Sequence, residues 1–289
     1  MPNTTKSATV PACSCGSTYA LTVWDVIQAE ASTPMVELPG SYPFAGQQLR
    51  AVLFCDFDGT LTPEDIGLEL FRRYSRGEVL EERLRRGEIS VLEYYQQACQ
   101  HLDPDITAEQ IAEFAHRIGL RPSVEALFRF CSQHGIGVAI LSDGLDVYIE
   151  PLLAAAGLEM IPVACNRLRW VCGTPQVDFP WASESCQYTC PSPYPCAACK
   201  RAALLSWTPP QVPVLFLGEG LSDFCPAFYA DIVFARAALA AWCREHQLGF
   251  IPYEELSDVC QALEQLLQRQ RLSLRYLPRQ RRQRAWVEE

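Results

Sequence analysis

A short apolar stretch followed at once by an acidic turn limits most strongly what this chain can fold into. Residues 49–55 are apolar apart from one arginine and predict a buried strand. Asp56 and Asp58 come directly after it, and Gly59 gives the backbone the freedom for a tight turn. Ligands of open α/β sheets bind at this end of the strands, and two close carboxylates favour a cation between them. The pattern predicts a magnesium site in which one carboxylate is a nucleophile and the other transfers protons; an acidic turn without chemistry is the alternative.

Three further motifs follow in an order that argues against a turn without chemistry. A Ser-Asp-Gly motif follows the strand predicted over residues 135–140, and an acidic motif follows the strand predicted over residues 212–217. A lysine lies in the polar stretch between them. The strand ends would thus bring together a nucleophile, a hydroxyl group, an ammonium group and a second pair of acids. The candidate residues are Ser142, Asp143, Gly144, Lys200, Glu219 and Asp223.

Together the four motifs resemble those of the haloacid dehalogenase superfamily of phosphatases, and they extend over residues 56–223. The resemblance implies that Asp56 attacks phosphorus and forms an acyl phosphate. It implies that Asp58 protonates the leaving oxygen and later activates water. A small phosphorylated metabolite is the implied substrate and Mg²⁺ the implied cofactor. The implied metal ligands are Asp56, the backbone carbonyl of Asp58, Glu219 and Asp223.

The other motif residues would bind the phosphoryl group. The Ser142 hydroxyl and the amides of Asp143 and Gly144 would donate hydrogen bonds to it. Lys200 would offset the negative charge of the aspartates and the phosphate, and the adjacent Arg201 competes for this role. A Ser-Asp-Gly turn or a single lysine carries little functional information alone. Their order along the chain, between the first and last motifs, favours the functional interpretation.

Glu219 departs from the family pattern, in which an aspartate is usual at this position. Its additional methylene displaces the carboxylate, whereas Mg²⁺ requires nearly octahedral coordination. Either the site rearranges or activity is reduced. A catalytically weakened member that binds a phosphorylated metabolite or a partner is therefore an alternative to an active phosphatase. Asp223 matches the pattern.

Two branches of the superfamily fit the chain: phosphoserine phosphatase, and 2-hydroxy-3-keto-5-methylthiopentenyl-1-phosphate phosphatase of methionine salvage. The second is closer, because a cysteine cluster directly precedes Lys200 and short motifs recur in order around it. These motifs are residues 178–181, 234–236, 243–245 and 252–253. Asp65 matches an acid that contacts substrate in the first branch; an acid that complements the dipole at a helix N-terminus is an equal alternative.

The alternation of strands and helices predicts an α/β fold: a Rossmann-like, mostly parallel sheet flanked by helices, with an inserted helical cap. Ser90 and Thr107 are predicted to begin cap helices. The cap is interpreted as a lid, with an ordinary crossover as the alternative. The predicted segments are a partly disordered N-terminal extension (1–48), the core (49–62 and 121–268), the cap (63–120), an irregular Cys-rich insertion (165–199) and an Arg-rich tail (269–289).

Composition and charge argue against several classes of function for this chain. The chain has 289 residues, 49% of them hydrophobic, and lacks the run of about 18 apolar residues that a membrane span needs. No leader pattern is evident, so a cytoplasmic protein is expected. A net charge of -10 argues against nucleic-acid binding. The Arg-rich tail could contact RNA or anionic lipid, or fold back on the acidic body. The oligomeric state is not indicated.

Cysteines are numerous, with 14 in the chain. Cys55, Cys131 and Cys165 lie in apolar runs and are predicted to be core thiols in a reducing compartment. Four others lie close together among prolines, serines and tyrosines. They could form a structural zinc site, disulfides or unlinked thiols. These four are Cys186, Cys190, Cys196 and Cys199.

Overall fold

The structure is a computed structural model that describes residues 43–182, 196–209 and 211–288. The predicted N-terminal extension falls outside these ranges up to residue 42, as do Cys186 and Cys190. The described residues form seven strands and eleven helices.

The seven strands form one sheet in the order β4-β3-β2-β1-β5-β6-β7. Neighbouring strands are parallel except for the antiparallel pair β3–β4. This arrangement confirms the predicted mostly parallel sheet. The strands are β1 (Ala51–Cys55), β2 (Ile136–Leu145), β3 (Val163–Val171), β4 (Thr174–Asp178), β5 (Val214–Gly218), β6 (Ile232–Ala235) and β7 (Ile251–Pro252).

The helices fall into a cap between β1 and β2 and a set that covers the sheet. The cap helices are α1 (Ile66–Tyr74), α2 (Gly77–Arg85), α3 (Val91–Gln100) and α4 (Ala108–Ile118). The others are α5 (Val124–Gln133), α6 (Asp146–Ala155), α7 (Lys200–Trp207), α8 (Phe224–Ala227), α9 (Ala237–Glu245), α10 (Leu256–Gln268) and α11 (Tyr276–Glu288). A short 3-10 turn, Leu221–Asp223, precedes α8.

The central strand explains why both faces of the sheet are covered. All residues of β1 are buried, and successive side chains point to opposite faces. Leu53 joins the core cluster that contains α5, α6 and α10, whereas Phe54 joins the cluster that contains α7 and α9. A continuous apolar run is thus required here, because neither face of the strand meets water.

Two cap helices begin at the polar residues that were predicted to start them. Ser90 accepts a hydrogen bond from the Glu93 amide, and Thr107 accepts one from the Gln110 amide. Both form complete capping boxes, at the starts of α3 and α4. The cap is held to the core by packing of α3 against β4 and of α4 against α6.

The prediction of an irregular segment over residues 165–199 is wrong for its first part. Residues 163–171 and 174–178 instead form an antiparallel hairpin that extends the sheet at its edge. The two-residue loop Cys172–Gly173 has positive φ at both positions, which suits a tight hairpin turn. Strand β2 also continues beyond the predicted residues, through the Ser-Asp-Gly motif to Leu145.

The Arg-rich tail contains helix α11 and packs on the core. Arg282 is buried and its Nη2 lies 2.9 Å from Oδ2 of Asp231, which immediately precedes β6. Ala285 is also buried and belongs to the core cluster beneath α9. Within the described ranges, no helix has the length and apolarity to cross a membrane.

Candidate active site

The predicted motifs meet at one edge of the sheet because three parallel strands reach it side by side. Cys55 at the end of β1 pairs with Ile140 in β2 and with Leu217 in β5. The residues that follow these positions therefore lie side by side. The structure brings together Asp56, Asp58, Ser142, Lys200 and Asp223 at this edge.

A buried lysine links the first and last motifs. The Lys200 Nζ lies 2.6 Å from Oδ1 of Asp56 and 2.7 Å from Oδ1 of Asp223. Lys200 is the first residue of α7, and the Cys199 thiol caps that helix by accepting from the Ala202 amide at 3.4 Å. Arg201 points elsewhere, with its guanidinium 5.8 Å from the centre of the Tyr229 ring. The ammonium at this site is thus that of Lys200.

The two aspartates and the lysine have strongly coupled charges. Burial and the nearby Asp223 raise the pKa of Asp56 well above its usual value, although Lys200 lowers it. Burial lowers the pKa of Lys200, but the carboxylates of Asp223 and Asp56 outweigh this and raise it overall. One ammonium between two buried carboxylates leaves negative charge that a further cation would offset.

Asp58 has a different environment from Asp56. Its Oδ2 accepts hydrogen bonds from the Tyr148 hydroxyl at 2.8 Å and the Ser142 hydroxyl at 3.3 Å. Its Oδ1 accepts from the Ile66 amide at 3.0 Å. Burial and the neighbouring charge of Asp65 raise the pKa of Asp58 to about 7, although the hydrogen bond from Tyr148 lowers it. A carboxyl group with this pKa can both donate and accept a proton near neutral pH.

Two glycines allow polar groups to crowd around Asp58. A Cβ on Gly144 would lie 2.1 Å from the Tyr148 hydroxyl and 2.6 Å from Oδ2 of Asp58, so a side chain does not fit. Gly67 is surrounded closely by three oxygen atoms from separate elements. A Cβ there would lie 3.1 Å from the Tyr148 hydroxyl, 3.5 Å from Oδ1 of Asp65 and 3.6 Å from the Tyr95 hydroxyl.

The residues of the Ser-Asp-Gly motif bond mainly to the protein itself. The Gly144 amide, predicted as a phosphoryl donor, donates to the Ser142 hydroxyl at 2.9 Å. Oδ1 of Asp143 accepts from the Ala198 amide at 2.9 Å, and the Asp143 carbonyl accepts from the Asn166 side chain. Burial raises the pKa of Asp143, and Lys200 partly offsets this effect. Asp143 therefore anchors the loop that leads to Lys200.

Glu219 does not join the other acids. Its Oε2 pairs with Nη2 of Arg236, and its Oε1 lies where a Cβ of Gly59 would be. Burial raises the pKa of Glu219, whereas Arg236 lowers it. Asp223 is oriented differently: its Oδ2 accepts from the amides of Glu219 and Gly220, each at 2.9 Å.

The donor set at this edge suits a hard cation. Asp56 and Asp223 present buried carboxylate oxygens, the ligand type that Mg²⁺ prefers. Within the described ranges, no three His, Cys, Asp or Glu side chains converge as a ready metal-binding group. Lys200 bridges the two aspartates, and Glu219 is directed towards Arg236 instead.

The remaining candidates have structural contacts. Asp65 is the N-cap of α1, and its Oδ1 accepts from the Leu68 amide at 2.8 Å. Its Oδ1 is also one of the three oxygen atoms close to Gly67. Cys196 is half-buried and Cys199 is buried, while Cys186 and Cys190 fall outside the described ranges.

Sequence reasoning missed three residues at this site. Tyr148 bonds to Asp58, and Arg121 and Arg236 both donate to the Gly59 carbonyl. Tyr148 carried a weak signal, because it stands in the first turn of the helix that directly follows the Ser-Asp-Gly strand. Arg236 lies in the motif over residues 234–236 that favoured the second branch, but its role at the site was not predicted. Arg121 carried no signal, since its partners are remote in the sequence.

Comparison with known proteins shows which family this chain resembles. Residues 53–182 match the family model of the haloacid dehalogenase-like hydrolases. The match confirms the predicted resemblance to this family, and the sheet has the α/β fold that the resemblance implies.

Two curated relatives show which kind of phosphatase this chain is similar to. A 2-hydroxy-3-keto-5-methylthiopentenyl-1-phosphate phosphatase from Brevibacillus brevis is 34% identical over 119 residues, covering 40% of this chain and 54% of the relative. A protein of the same name from Exiguobacterium sibiricum is 28% identical over 152 residues, covering 51% of this chain and 66% of the relative. The chain thus spans between half and two thirds of the length of these relatives.

Solved structures share the fold. A probable phosphoserine phosphatase from Vibrio cholerae, in unliganded form, gives a TM-score of 0.55 with 19% identity, covering 79% of this chain and 69% of that chain. A substrate-bound phosphoserine phosphatase complex gives 0.54 with 14% identity, covering 75% of this chain and 99% of that chain. At these identities the likeness concerns the fold alone.

Proposed function

We propose that this chain is a Mg²⁺-dependent phosphomonoester hydrolase that acts on a small phosphorylated metabolite through an aspartyl-phosphate intermediate. The arrangement of Asp56, Asp58 and Lys200 supports this proposal most strongly. Lys200 holds one oxygen of Asp56 at 2.6 Å, and Asp58 stands beside it with a pKa of about 7. A carboxylate nucleophile oriented by an ammonium, next to an acid that exchanges protons near neutral pH, is what a two-step hydrolysis requires.

In the first step, a carboxylate oxygen of Asp56 attacks phosphorus as the bond from phosphorus to the leaving oxygen breaks. Lys200 orients the Asp56 carboxylate and offsets the charge that builds up on the phosphoryl oxygens. Protonated Asp58 gives its proton to the leaving oxygen. The Ser142 hydroxyl, now directed at Asp58, would turn to the phosphoryl group.

In the second step, water attacks the acyl phosphate and releases inorganic phosphate. Asp58, now a carboxylate, takes a proton from that water, and Asp56 is regenerated. Tyr148 and the Ile66 amide hold Asp58 in place throughout, because each bonds to a different oxygen of its carboxyl group.

The residues that would hold Mg²⁺ are Asp56, Asp223 and the backbone carbonyl of Asp58. Bound there, the ion would neutralise the crowded negative charge and orient the phosphoryl oxygens. The buried carboxylates of Asp56 and Asp223 support this assignment. Glu219 was also predicted as a ligand, but its pairing with Arg236 gives that role less support.

The names of the relatives support a substrate similar to 2-hydroxy-3-keto-5-methylthiopentenyl-1-phosphate. Asp65, Tyr95 and Tyr148 bring oxygen atoms close to Gly67, and Tyr148 also bonds to Asp58, so these three residues are candidates to contact the leaving group. Phosphoserine is the second candidate, supported by the shared fold. The Glu219–Arg236 pair favours a further alternative, a weakened member that binds a phosphorylated metabolite without turnover.

The deciding experiment is phosphate release from a panel of phosphorylated metabolites, with and without Mg²⁺, by the wild type and Asp56→Asn. Removing the nucleophile should lower turnover by several powers of ten. The matched control is the same substitution at Asp105, an exposed residue of the cap, which should leave turnover unchanged. Wild-type turnover by Asp56→Asn would refute the aspartyl-phosphate mechanism. Binding of a metabolite without release would establish the weakened member instead.

We also propose that Cys186, Cys190, Cys196 and Cys199 bind a structural zinc ion. In a cytoplasmic setting these thiols would stay reduced and available to a metal. A zinc site that includes Cys199 would fix the start of α7 and hence the position of Lys200. Metal analysis of protein purified without chelators should show about one zinc per chain. Full activity in a zinc-free preparation would contradict the proposal.

A further inference from the structure

The Gly59 carbonyl receives hydrogen bonds from two arginines that belong to different parts of the chain. Nη2 of Arg236 donates to it at 2.6 Å and Nη2 of Arg121 at 3.2 Å. Gly59 has a φ of +73° and lies one residue after Asp58. The two arginines thus hold the backbone of the acidic turn at the point where it reverses direction.

Glu219 anchors the first of these arginines. Its carboxylate pairs with the same Nη2 of Arg236, and it rests against the Cα of Gly59. The Arg236 guanidinium also lies 5.8 Å from the centre of the Tyr253 ring, whose hydroxyl donates to the Gly218 carbonyl at 3.4 Å. Arg236 is therefore fixed on several sides, and Glu219 supplies its counter-charge.

Arg121 connects the same turn to the cap. It lies just after α4, the last cap helix, and its amide donates to the Leu61 carbonyl at 2.7 Å. Its Nε donates to the Thr62 carbonyl at 3.1 Å. The chain leaves the core for the cap directly after Thr62 and returns at Arg121, so these bonds join the two connections between cap and core.

We propose that Glu219 and Arg236 are positioning residues: their ion pair holds the Gly59 carbonyl, and through it the turn that carries Asp56 and Asp58 and the connection to the cap. This inference rests on the proposed phosphatase function. It gives Glu219 a role that differs from metal binding. The longer glutamate side chain reaches Arg236, whereas an aspartate would stop a methylene short of it.

Kinetics of Glu219→Gln, Arg236→Gln and the double variant test the inference. Each single change should lower kcat by about tenfold, because the turn loses its fixed geometry. The double variant should be no slower than the slower single, since both changes remove the same pair. The Mg²⁺ concentration for half-maximal activity should stay within about twofold of wild type in all three. Arg244→Gln, an exposed arginine in α9, is the matched control and should keep wild-type kcat.

A metal-ligand role for Glu219 gives a different result. Glu219→Gln would then raise the Mg²⁺ concentration for half-maximal activity by about tenfold or more. Arg236→Gln would leave it unchanged or lower it, because Glu219 would be released to the metal. Either outcome overturns the positioning role.

Unfolding in urea with a chelator present supplies a readout that needs neither metal nor turnover. The shift in the unfolding midpoint of the double variant should equal that of the more damaging single variant rather than the sum of the two. Additive shifts would show that Glu219 and Arg236 do not act as a pair and would overturn the inference. If the wild type hydrolyses no phosphate ester, the phosphatase proposal fails, and this cycle still decides whether Glu219 and Arg236 act together.

Discussion

Asp56 and Asp58 show how two aspartates two residues apart acquire different chemistry. Asp56 faces the Lys200 ammonium at 2.6 Å; burial and Asp223 raise the pKa of Asp56, and this ammonium lowers it, which favours the carboxylate form that a nucleophile needs. Asp58 faces the hydroxyl groups of Tyr148 and Ser142. Burial and the charge of Asp65 raise the pKa of Asp58 to about 7, so this carboxyl group can exchange a proton near neutral pH. The environment, not the residue type, divides their roles.

Tyr148→Phe should move the pH dependence of activity. The first step needs protonated Asp58, so kcat/KM should fall as pH rises through about 7. The Tyr148 hydrogen bond lowers the pKa of Asp58, and its loss should raise that pKa and shift the alkaline limb to higher pH. Both proteins would hold the same metal, so the difference reports the hydrogen bond. Tyr276→Phe at an exposed tyrosine is the control, and coincident profiles for wild type and Tyr148→Phe would contradict the assignment.

At the scale of elements, the β3–β4 hairpin connects the cap to the sheet edge, because α3 packs against β4. The hairpin was not predicted from the sequence, and the reason is local. Its turn needs positive φ at both residues, for which Asn-Gly is the usual signal. The chain has Cys172–Gly173 instead, with φ of 51° and 79°. A cysteine at the first position is not a usual signal for this turn, so the Cys-rich stretch was interpreted as irregular.

Substitutions at Cys172 should therefore change stability in opposite directions. Cys172→Asn should stabilise the fold by about 0.5 kcal/mol, because asparagine adopts the left-handed conformation more readily. Cys172→Val should destabilise it by about 1 kcal/mol or more, because a β-branched residue is strained there. The side chain is exposed, so packing changes little between the two. Urea unfolding of both variants checks the prediction, and shifts of the same sign would contradict it.

Elements with strong local signals were predicted well. The buried run before Asp56, the capping boxes of α3 and α4 and the strand ends that carry the motifs all depend on residues near one another in sequence. Contacts that depend on the final fold were not predicted. Arg236 reaches Gly59 across 177 positions, and no local pattern indicates which arginine does so. The direction of Glu219, towards Arg236, likewise follows from packing around Gly59 rather than from its motif.

At the scale of the whole molecule, an acidic body holds a basic C-terminal helix through one buried aspartate. Asp231 is fully buried and accepts from the amides of Val214 and Arg275 at 2.8 and 2.7 Å. Its Oδ2 also pairs with Arg282, whose Nη1 donates to the Tyr229 carbonyl. Asp231 therefore joins β5, β6 and α11 in one network, and α11 is part of the folded core rather than a solvated tail.

Arg282→Ala should destabilise the protein far more than the same change elsewhere in α11. It removes the counter-charge of a fully buried carboxylate, which typically costs about 3–5 kcal/mol. The two amides that still bond to Asp231 place the expected loss at the lower end of this range, about 3 kcal/mol. Arg284→Ala is the matched control, because Arg284 is an exposed arginine of the same helix and its loss should change stability by less than about 0.5 kcal/mol. Urea unfolding of the three proteins measures both changes. Equal midpoints for Arg282→Ala and Arg284→Ala would show that the Asp231–Arg282 pair does not hold α11 to the core.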